Sequence, residues 1–211
     1  MCYTECRSSC FSVFQRGCGA VNTVHHAAWT YIAGKISIPE RKAGVRWATA
    51  GAVMPDVSYV VLFFGMGVER GTLHAGMLLS ADAPSRWELH ELVHAIFEHP
   101  LGILLRNSAH SLVFWAGAAL LFWLLTRTLL SNAMLFVWGW LGHILLDALT
   151  HVTDATPLFY PFSEWTFPAF VSYWDPAYYG PLFSLVSNLL LLACGTFLVL
   201  RHYLRRKRPS E

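Results

Sequence analysis

The feature that most constrains this chain is a set of ionisable side chains inside a strongly apolar run. His143, Asp147 and His151 lie four residues apart within the segment Trp138 to Asp154, which reads WGWLGHILLDALTHVTD. On an α-helix of about 3.6 residues per turn, side chains at this spacing share one face. A charged carboxylate in the middle of a membrane costs roughly 2.5 to 3.5 kcal/mol, so it requires a partner. Because imidazoles are natural co-ligands for a metal, the pattern predicts half of a metal site on one helix.

The composition is too apolar for an ordinary soluble domain. Of the 211 residues, 55% are hydrophobic and 13% are charged, and the mean hydropathy is +0.43. A single span needs about 20 mostly apolar residues, so we expect an all-α, polytopic integral membrane helical bundle with about four or five transmembrane helices. The predicted spans, three strong ones followed by two weaker ones, are Ser111 to Thr126, Asn132 to His151, Pro181 to Leu200, Asn22 to Ile36 and Arg46 to Met66.

The chain divides into two predicted regions. Residues 1–22 hold four of the five cysteines without any paired C-x-x-C spacing, and they predict a poorly ordered N-terminal extension. Residues 23–211 predict a membrane-embedded helical domain that carries the metal site and ends in a short basic tail. The positive-inside rule places the basic run from Arg201 to Arg208 in the cytoplasm. Counting back through the spans, the site opens to the non-cytoplasmic side of the cell (inner) membrane.

Four further candidate metal ligands lie on other predicted spans. His25, His26 and His110 lie near span ends, and Asp56 lies near the middle of the span Arg46 to Met66. Each has a structural explanation when taken alone. A histidine at a helix end can act as a polar cap, and Asp56 fits the first turn of a helix that starts at Pro55. Together with His143 and Asp147, however, they form the mixed imidazole and carboxylate set that zinc prefers. We therefore predict a divalent metal, zinc, as the cofactor.

The energetics of burial favour the metal interpretation over a purely structural one. Burying Asp56 and Asp147 without partners costs several kcal/mol, and the nearest cations, Arg106 and Arg127, lie near helix ends. Apparent binding of about 10 to 16 kcal/mol at a structural zinc site offsets that cost, whereas a neutral hydrogen bond of about 1 kcal/mol does not. A proton relay, as found in transporters, is the competing interpretation of the same residues.

A second motif indicates a different chemistry. The run His90-Glu91-Leu92-Val93-His94 fits H-E-x-x-H, which in zinc proteases supplies two ligands and a general base from one helix. Its flanks predict an amphipathic helix, and the polar stripe of an interfacial helix would produce the same pattern. A zinc metalloprotease therefore remains an alternative function.

Four short motifs occur in an order that resembles a known family: Met54-Pro55-Asp56, Arg106-x-x-x-His110-Ser111, Gly142-His143-x-x-x-Asp147-x-x-Thr150-His151 and Tyr160-Pro-Phe-Ser163. From about Thr23 to Asp175 the chain resembles the YdjM-like (LexA-binding-related) family of predicted inner-membrane metal-dependent hydrolases. The resemblance implies a helical membrane protein with hydrolase activity and a metal site built from one or both members of the 25/26 histidine pair and from Asp56, His110, His143 and Asp147.

Two positions depart from the pattern of that family. The family commonly has a second acidic residue where this chain has Ser58, and a Thr where this chain has Ala109. The missing carboxylate argues against a two-metal site and leaves one metal plausible.

These observations predict a membrane-bound hydrolase in which a metal-activated water attacks an ester, phosphoester or amide bond of a lipid-accessible substrate. The predicted catalytic residues are His151 and Asp154, which would orient ligands or move protons. The expected partners are the lipid bilayer and a lipid-derived substrate, since no basic patch or fold signature indicates nucleic acid. A non-catalytic membrane protein or a proton-coupled transporter is the alternative, and the sequence leaves the oligomeric state open.

An aromatic segment from Thr166 to Gly180 follows the predicted site. Its six Phe, Tyr and Trp side chains suit an interfacial belt that anchors the protein in the membrane. The alternative is a lid or a lipid-binding platform over the metal cavity.

Overall fold

The computed structural model describes residues 20–74 and 83–207, and over these ranges its regular secondary structure is entirely helical. The predicted all-α class is therefore confirmed. The predicted N-terminal extension lies outside the described residues as far as residue 19. In chain order the helices are α1 (Ala20–Ser37), α2 (Lys42–Glu69), α3 (Ala83–Glu98), α4 (Pro100–Ala109), α5 (Leu112–Thr126), α6 (Asn132–Thr150) and α7 (Gly180–Lys207), with a 3-10 turn at Pro176–Tyr178 before α7.

Within the described residues, three helices are long and apolar enough to cross a membrane, namely α2, α6 and α7. Helices α4 and α5 pass the same test together, as one span bent by 57°. Helix α1, predicted as a weak span, forms a helix but is not among the candidate spans. The protein is thus a helical membrane bundle with three or four candidate spans, and His110 lies in the bend between α4 and α5.

Side-chain caps fix the ends of the helices around that bend. His99 accepts a hydrogen bond from the backbone of α4, and Ser111 accepts one from the backbone of α5. Such caps satisfy backbone N–H groups that the helix leaves unpaired. Arg127 ends α5 in the left-handed conformation, with φ of 53°. His110 is the C-terminal cap of α4: its backbone N–H still donates to the carbonyl of Arg106, at 3.1 Å, and its imidazole is buried in the interior.

Two glycines bring α2 and α6 into backbone contact. A Cβ placed on Gly51 would lie 1.9 Å from the carbonyl oxygen of Phe136, and one placed on Gly139 would lie 1.8 Å from that of Ala48. Only glycine permits such an approach, and small residues are the usual means of close helix packing in membranes. The α2–α6 contact is the most extensive in the bundle. It forms the frame on which the buried histidines and carboxylates are arranged.

Pro55 lies inside α2 and not at a helix start, so that structural explanation of Asp56 is wrong. Proline lacks an N–H group and removes the helical hydrogen bond to the carbonyl four residues earlier, which belongs to Gly51. The helix continues nevertheless, because α2 packs against α1 and α6 along this stretch. Asp56 therefore lies near the middle of α2, a candidate membrane span, and is held inside the bundle.

Helix α3 closes one side of the fold. Leu92 and Ile96 are buried against Met66 of α2, as the predicted apolar stripe requires. Helix α7 is much more exposed, since only 6% of its most apolar 18-residue stretch is buried inside the protein. Most of its surface therefore faces its surroundings, and it contacts the bundle mainly through α1.

Candidate metal centre

Four elements deliver imidazole and carboxylate groups to one interior point. The group consists of His26 from α1, Asp56 from α2, His110 from the α4–α5 bend, and His143 and Asp147 from α6, and it is called the His/Asp centre below. The three histidines are at most 3% exposed, and Asp147 is 8% exposed. Burial of so many polar groups in an apolar bundle is unfavourable unless they are paired or bind a cation.

Four of these side chains direct ligand atoms at a common point. The Nε2 atoms of His110 and His143 are 3.1 Å apart. Asp147 Oδ2 lies 3.1 Å from the first and 3.2 Å from the second. Asp56 Oδ1 is slightly more distant, at 3.9 Å from His110 Nε2 and 3.6 Å from His143 Nε2. The arrangement combines two imidazoles and two carboxylates from three separate helical segments.

The tautomers of both imidazoles follow from their second hydrogen bonds. His143 Nδ1 lies 2.7 Å from the carbonyl oxygen of Ala52, and His110 Nδ1 lies 2.8 Å from that of Arg106. A carbonyl only accepts, so each Nδ1 must carry the proton and donate. In the neutral rings, both Nε2 atoms then present lone pairs to one another across 3.1 Å. Two lone pairs at that distance repel, and a shared cation or an added proton is needed to hold them together.

The separations among His110, His143 and Asp147 are close to those that a four-coordinate metal would impose. Ligand atoms bound at about 2.0 to 2.1 Å in a tetrahedron lie about 3.3 Å from each other. The separations among His110, His143 and Asp147 are 3.1 to 3.2 Å, and those to Asp56 are 3.6 and 3.9 Å. The residues present therefore fit a divalent ion with nitrogen and oxygen ligands. The donor set suits zinc, although other divalent ions accept the same atoms.

The two carboxylates are each held from a second side. Thr23 of α1 donates a hydrogen bond to Asp56 Oδ2, which leaves Oδ1 directed at the histidines. Asp147 Oδ1 lies 2.9 Å from His26 Nε2, while Oδ2 faces His110 and His143. The His26 ring also stacks on that of His143, with centroids 3.9 Å apart. Such contacts orient ligands and are typical of the outer partners of metal sites.

The remaining predicted site residues lie around the centre in different roles. Of the 25/26 pair, His26 faces the centre, whereas His25 Nε2 lies 3.0 Å from Asn188 Oδ1 of α7. His151 ends α6, with Nδ1 3.5 Å from Asp147 Oδ1 and Nε2 3.7 Å from Asp154 Oδ2. Asp154 is more exposed than Asp147 and accepts a hydrogen bond from Trp174. The two predicted catalytic residues thus form a chain from the centre towards its rim.

The H-E-x-x-H motif does not gather a metal site in the part of the chain that the structure describes. The rings of His90 and His94 are close, with centroids 4.3 Å apart. Over residues 20–74 and 83–207, however, the groups of three or more potential ligands are confined to the His/Asp centre. Glu91 is exposed and Leu92 is buried, as expected for an amphipathic helix. Partial burial lowers the pKa of His90, which favours its neutral form.

Sequence reasoning missed the groups that orient the ligands. These groups are not residue types that metal-binding motifs contain, so a motif search does not select them: they are the hydroxyl of Thr23 and the carbonyls of Ala52 and Arg106. The Arg106 carbonyl could have been found, because it lies four residues before His110, at helical hydrogen-bond spacing. The other two contacts join separate helices and depend on packing.

The fold and the centre define a polytopic helical membrane protein with buried His and Asp groups that can hold a metal ion. A family model described as YdjM inner membrane protein matches residues 22–207. The chain belongs to this family of inner membrane proteins, as its short motifs predicted. Neither curated proteins nor solved structures give a match to the chain.

Proposed function

We propose that the protein is a membrane-bound, metal-dependent hydrolase that cleaves an ester, phosphoester or amide bond in a lipid-accessible substrate. The observation that carries the proposal is the pair of Nε2 lone pairs facing each other beside two carboxylates. A purely structural cluster of polar groups would pair donors with acceptors. With both rings neutral, this cluster instead aims acceptors at acceptors, an arrangement that a bound cation stabilises; the alternative to a metal ion is an added proton on one ring.

The residues divide into ligands and groups that handle protons. His110, His143, Asp147 and Asp56 hold the ion, which when bound polarises an ester or phosphoryl oxygen and activates water. His151 Nδ1 lies 3.2 Å from the main-chain carbonyl oxygen of Asp147 and therefore carries the ring proton, which leaves Nε2, 3.7 Å from Asp154 Oδ2, as the atom that exchanges protons at the rim of the centre. A phosphoester is the favoured bond. The two carboxylates balance the charge of a divalent ion, so this preference rests on polarisation of a phosphoryl oxygen by the ion and not on a net positive charge.

The orientation in the membrane is part of the proposal. The contact register of α2 and α6 shows that these spans run parallel, since Gly44 lies beside Leu135 and Ala52 beside His143. If the basic C-terminal tail is cytoplasmic, both spans begin at the cytoplasmic face, and the centre lies in the outer half of the bilayer. A lipid headgroup in the outer leaflet would then meet the centre at its own depth.

Metal analysis beside turnover tests the proposal. The purified wild type is expected to retain metal in roughly stoichiometric amount, and chelation should abolish hydrolysis of chromogenic phosphodiester and ester substrates. His143→Ala and Asp147→Asn should lose both metal and turnover, because each removes a ligand from a site of four.

A matched control uses a histidine that the structure places elsewhere. His94→Ala removes an exposed imidazole from the H-E-x-x-H motif and should preserve metal content and turnover. Loss of metal in His94→Ala with retention in His143→Ala would contradict the proposed centre. Retained metal without turnover of phosphoester, ester or amide substrates would contradict hydrolase function and leave a metal-binding membrane protein. Proton flux that depends on Asp147 without any metal would favour the transporter alternative.

A further inference from the structure

An apolar groove lies beside the His/Asp centre on the membrane-facing side of the bundle. Its volume is about 210 Å³, and its walls come from three helices and the segment before α7. The apolar and aromatic side chains that line it are Trp29, Leu146, Tyr173, Phe183, Val186 and Leu190. Phe183, Val186, Ser187 and Leu190 follow the i, i+3, i+4, i+7 spacing of one helix face, so α7 presents a continuous stripe to the groove.

One wall of the groove belongs to α7, a candidate membrane span. The α7 span is the most apolar of the three candidate spans formed by a single helix, with a mean hydropathy of 2.1, and 6% of its most apolar stretch is buried. Leu182, Leu189 and Leu192 on its other faces are 56 to 67% exposed, and Leu190 at the open edge of the groove is 51% exposed. A helix of this kind is in contact with acyl chains along most of its length. Any cleft on its inner face is therefore open to the same chains.

Tyr173 connects the groove to the centre. Its ring is 3% exposed, forms part of the groove wall, and lies 6.5 Å from the His26 ring and 6.3 Å from the His151 ring, measured between centroids. Its backbone N–H donates to the carbonyl of Thr150 at the end of α6, at 3.0 Å. Burial raises the pKa of Tyr173 to about 12, so the wall that it forms carries no charge at neutral pH.

The surrounding aromatic segment separates into two kinds of residue. Phe170 and Tyr179 are 78% and 65% exposed and suit an interfacial belt, whereas Tyr173 is buried. Between α1 and α7 the groove is closed by polar contacts, with Trp29 Nε1 donating to Ser187 Oγ at 3.3 Å. The groove is therefore lined mainly by apolar side chains, and its Tyr173 wall separates it from His26 and His151 by about one ring, with centroids 6.5 and 6.3 Å apart.

We propose that this groove receives an acyl chain of a bilayer lipid and so positions the headgroup bond of that lipid at the His/Asp centre. The inference rests on the proposed hydrolase function and names its substrate class as a lipid with a long hydrocarbon chain. Since membrane hydrocarbon is as apolar as the groove, a chain gains little hydrophobic free energy by entering. The groove acts by orientation: it fixes where the chain lies and hence where the scissile bond lies.

Photolabelling of the wild-type protein tests chain occupancy without requiring turnover. The protein is reconstituted in phosphatidylethanolamine and phosphatidylglycerol vesicles that contain a trace of phosphatidylglycerol with a diazirine near the end of one acyl chain. Labels mapped by peptide mass spectrometry are expected on Trp29 and Leu146, which lie on the far walls of the groove, in addition to the outward face of α7. Labelling confined to outward-facing positions such as Leu192 would overturn the inference.

Two matched variants on α7 refine the test. Leu190→Trp fills the groove and should reduce labelling of Leu146, whereas Leu192→Trp places the same ring on the outward face and should not. Leu190→Ala widens the groove and should preserve labelling. Retention of metal by each variant shows that the bundle is folded. If Leu190→Trp retains metal and Leu146 is labelled as in the wild type, the groove does not hold the chain.

Kinetics separate failure of the groove from failure of the proposed function. For two substrates with the same scissile bond, Leu190→Trp should lower the ratio of long-chain to short-chain kcat/KM about tenfold, because the orienting contact is lost only for the long chain. Leu192→Trp should leave that ratio unchanged. Metal-dependent turnover with no chain-length effect and no groove labelling overturns the inference alone. Groove labelling without any turnover supports a lipid site and refutes the hydrolase.

Discussion

Substitution of Gly139 by Ala is the sharpest test of how the helix frame builds the centre. The added Cβ would lie 1.8 Å from the carbonyl oxygen of Ala48, and real Cβ contacts essentially never fall below 3.0 Å. Backbone cannot swing aside as a flexible side chain does, so α2 and α6 must separate by the difference, about 1.2 Å, at this point. His143 lies one turn further along α6 and donates to Ala52, one turn further along α2. Separating the two helices here therefore moves His143 away from Ala52 and changes the spacing of the ligands in the His/Asp centre.

The expected effect follows from the tolerance of metal sites. Ligands must be held within about 0.5 Å of productive geometry, and in enzyme sites a misplacement of about 1 Å can lower the rate about 100-fold. We take the same factor for the loss of zinc affinity. Gly139→Ala should accordingly weaken zinc binding about 100-fold, measured by competition with a chelator of known affinity. Thermal unfolding of the metal-free protein should also occur at lower temperature.

Gly142 provides the control on the same helix. A Cβ there meets nothing within 4 Å, so Gly142→Ala should preserve zinc affinity. Ala is favoured over Gly by about 1 kcal/mol in a helix interior, so this variant should be neutral or slightly more stable. Equal zinc affinity in Gly139→Ala and Gly142→Ala would refute the claim that backbone contact between α2 and α6 sets the geometry of the ligands.

Three further predictions address separate parts of the structure. Thr23→Val removes the donor that orients Asp56. Because outer partners of metal ligands typically contribute 10- to 100-fold to metal affinity, zinc affinity should fall about tenfold. Unchanged affinity in a chelator titration would show that the contact is dispensable. Chelation should lower the melting temperature of the wild type but leave that of Asp147→Asn unchanged, since a ligand that binds only the folded state stabilises it; an equal shift in both proteins would argue against binding at this site. Glu91→Gln should retain metal and turnover because no third ligand joins the H-E-x-x-H histidines among the described residues, and loss of turnover alone would revive the protease alternative.

The fold class was predictable because it depends on composition and on the lengths of apolar runs. Helices α2, α6 and α7 correspond to predicted spans, since about 20 apolar residues in sequence have few other stable arrangements. The bend at His110 was harder to predict from the sequence. A capping serine after a histidine is common in many contexts, and its effect on the path of α4 and α5 depends on their neighbours.

The candidate ligands were predictable for a different reason. An aspartate in an apolar helix is costly, so Asp56 and Asp147 attract attention whatever the fold. Their convergence is a property of packing, and it depends on Gly51 and Gly139, which carry no chemical signal of their own. The choice between His25 and His26 likewise depends on the rotation of α1, because adjacent residues point about 100° apart on a helix.

The main-chain acceptors for His110 and His143 have a consequence for how the protein tolerates change. Both imidazoles are kept in one protonation pattern by carbonyl oxygens, at Arg106 and at Ala52, and every amino acid supplies a carbonyl. The side chain at position 106 can therefore vary without altering which ring nitrogen is free. Lineages that diverge at this position would retain the same nitrogen chemistry, so sequence variation beside the histidine need not signal a change in the ion that it binds.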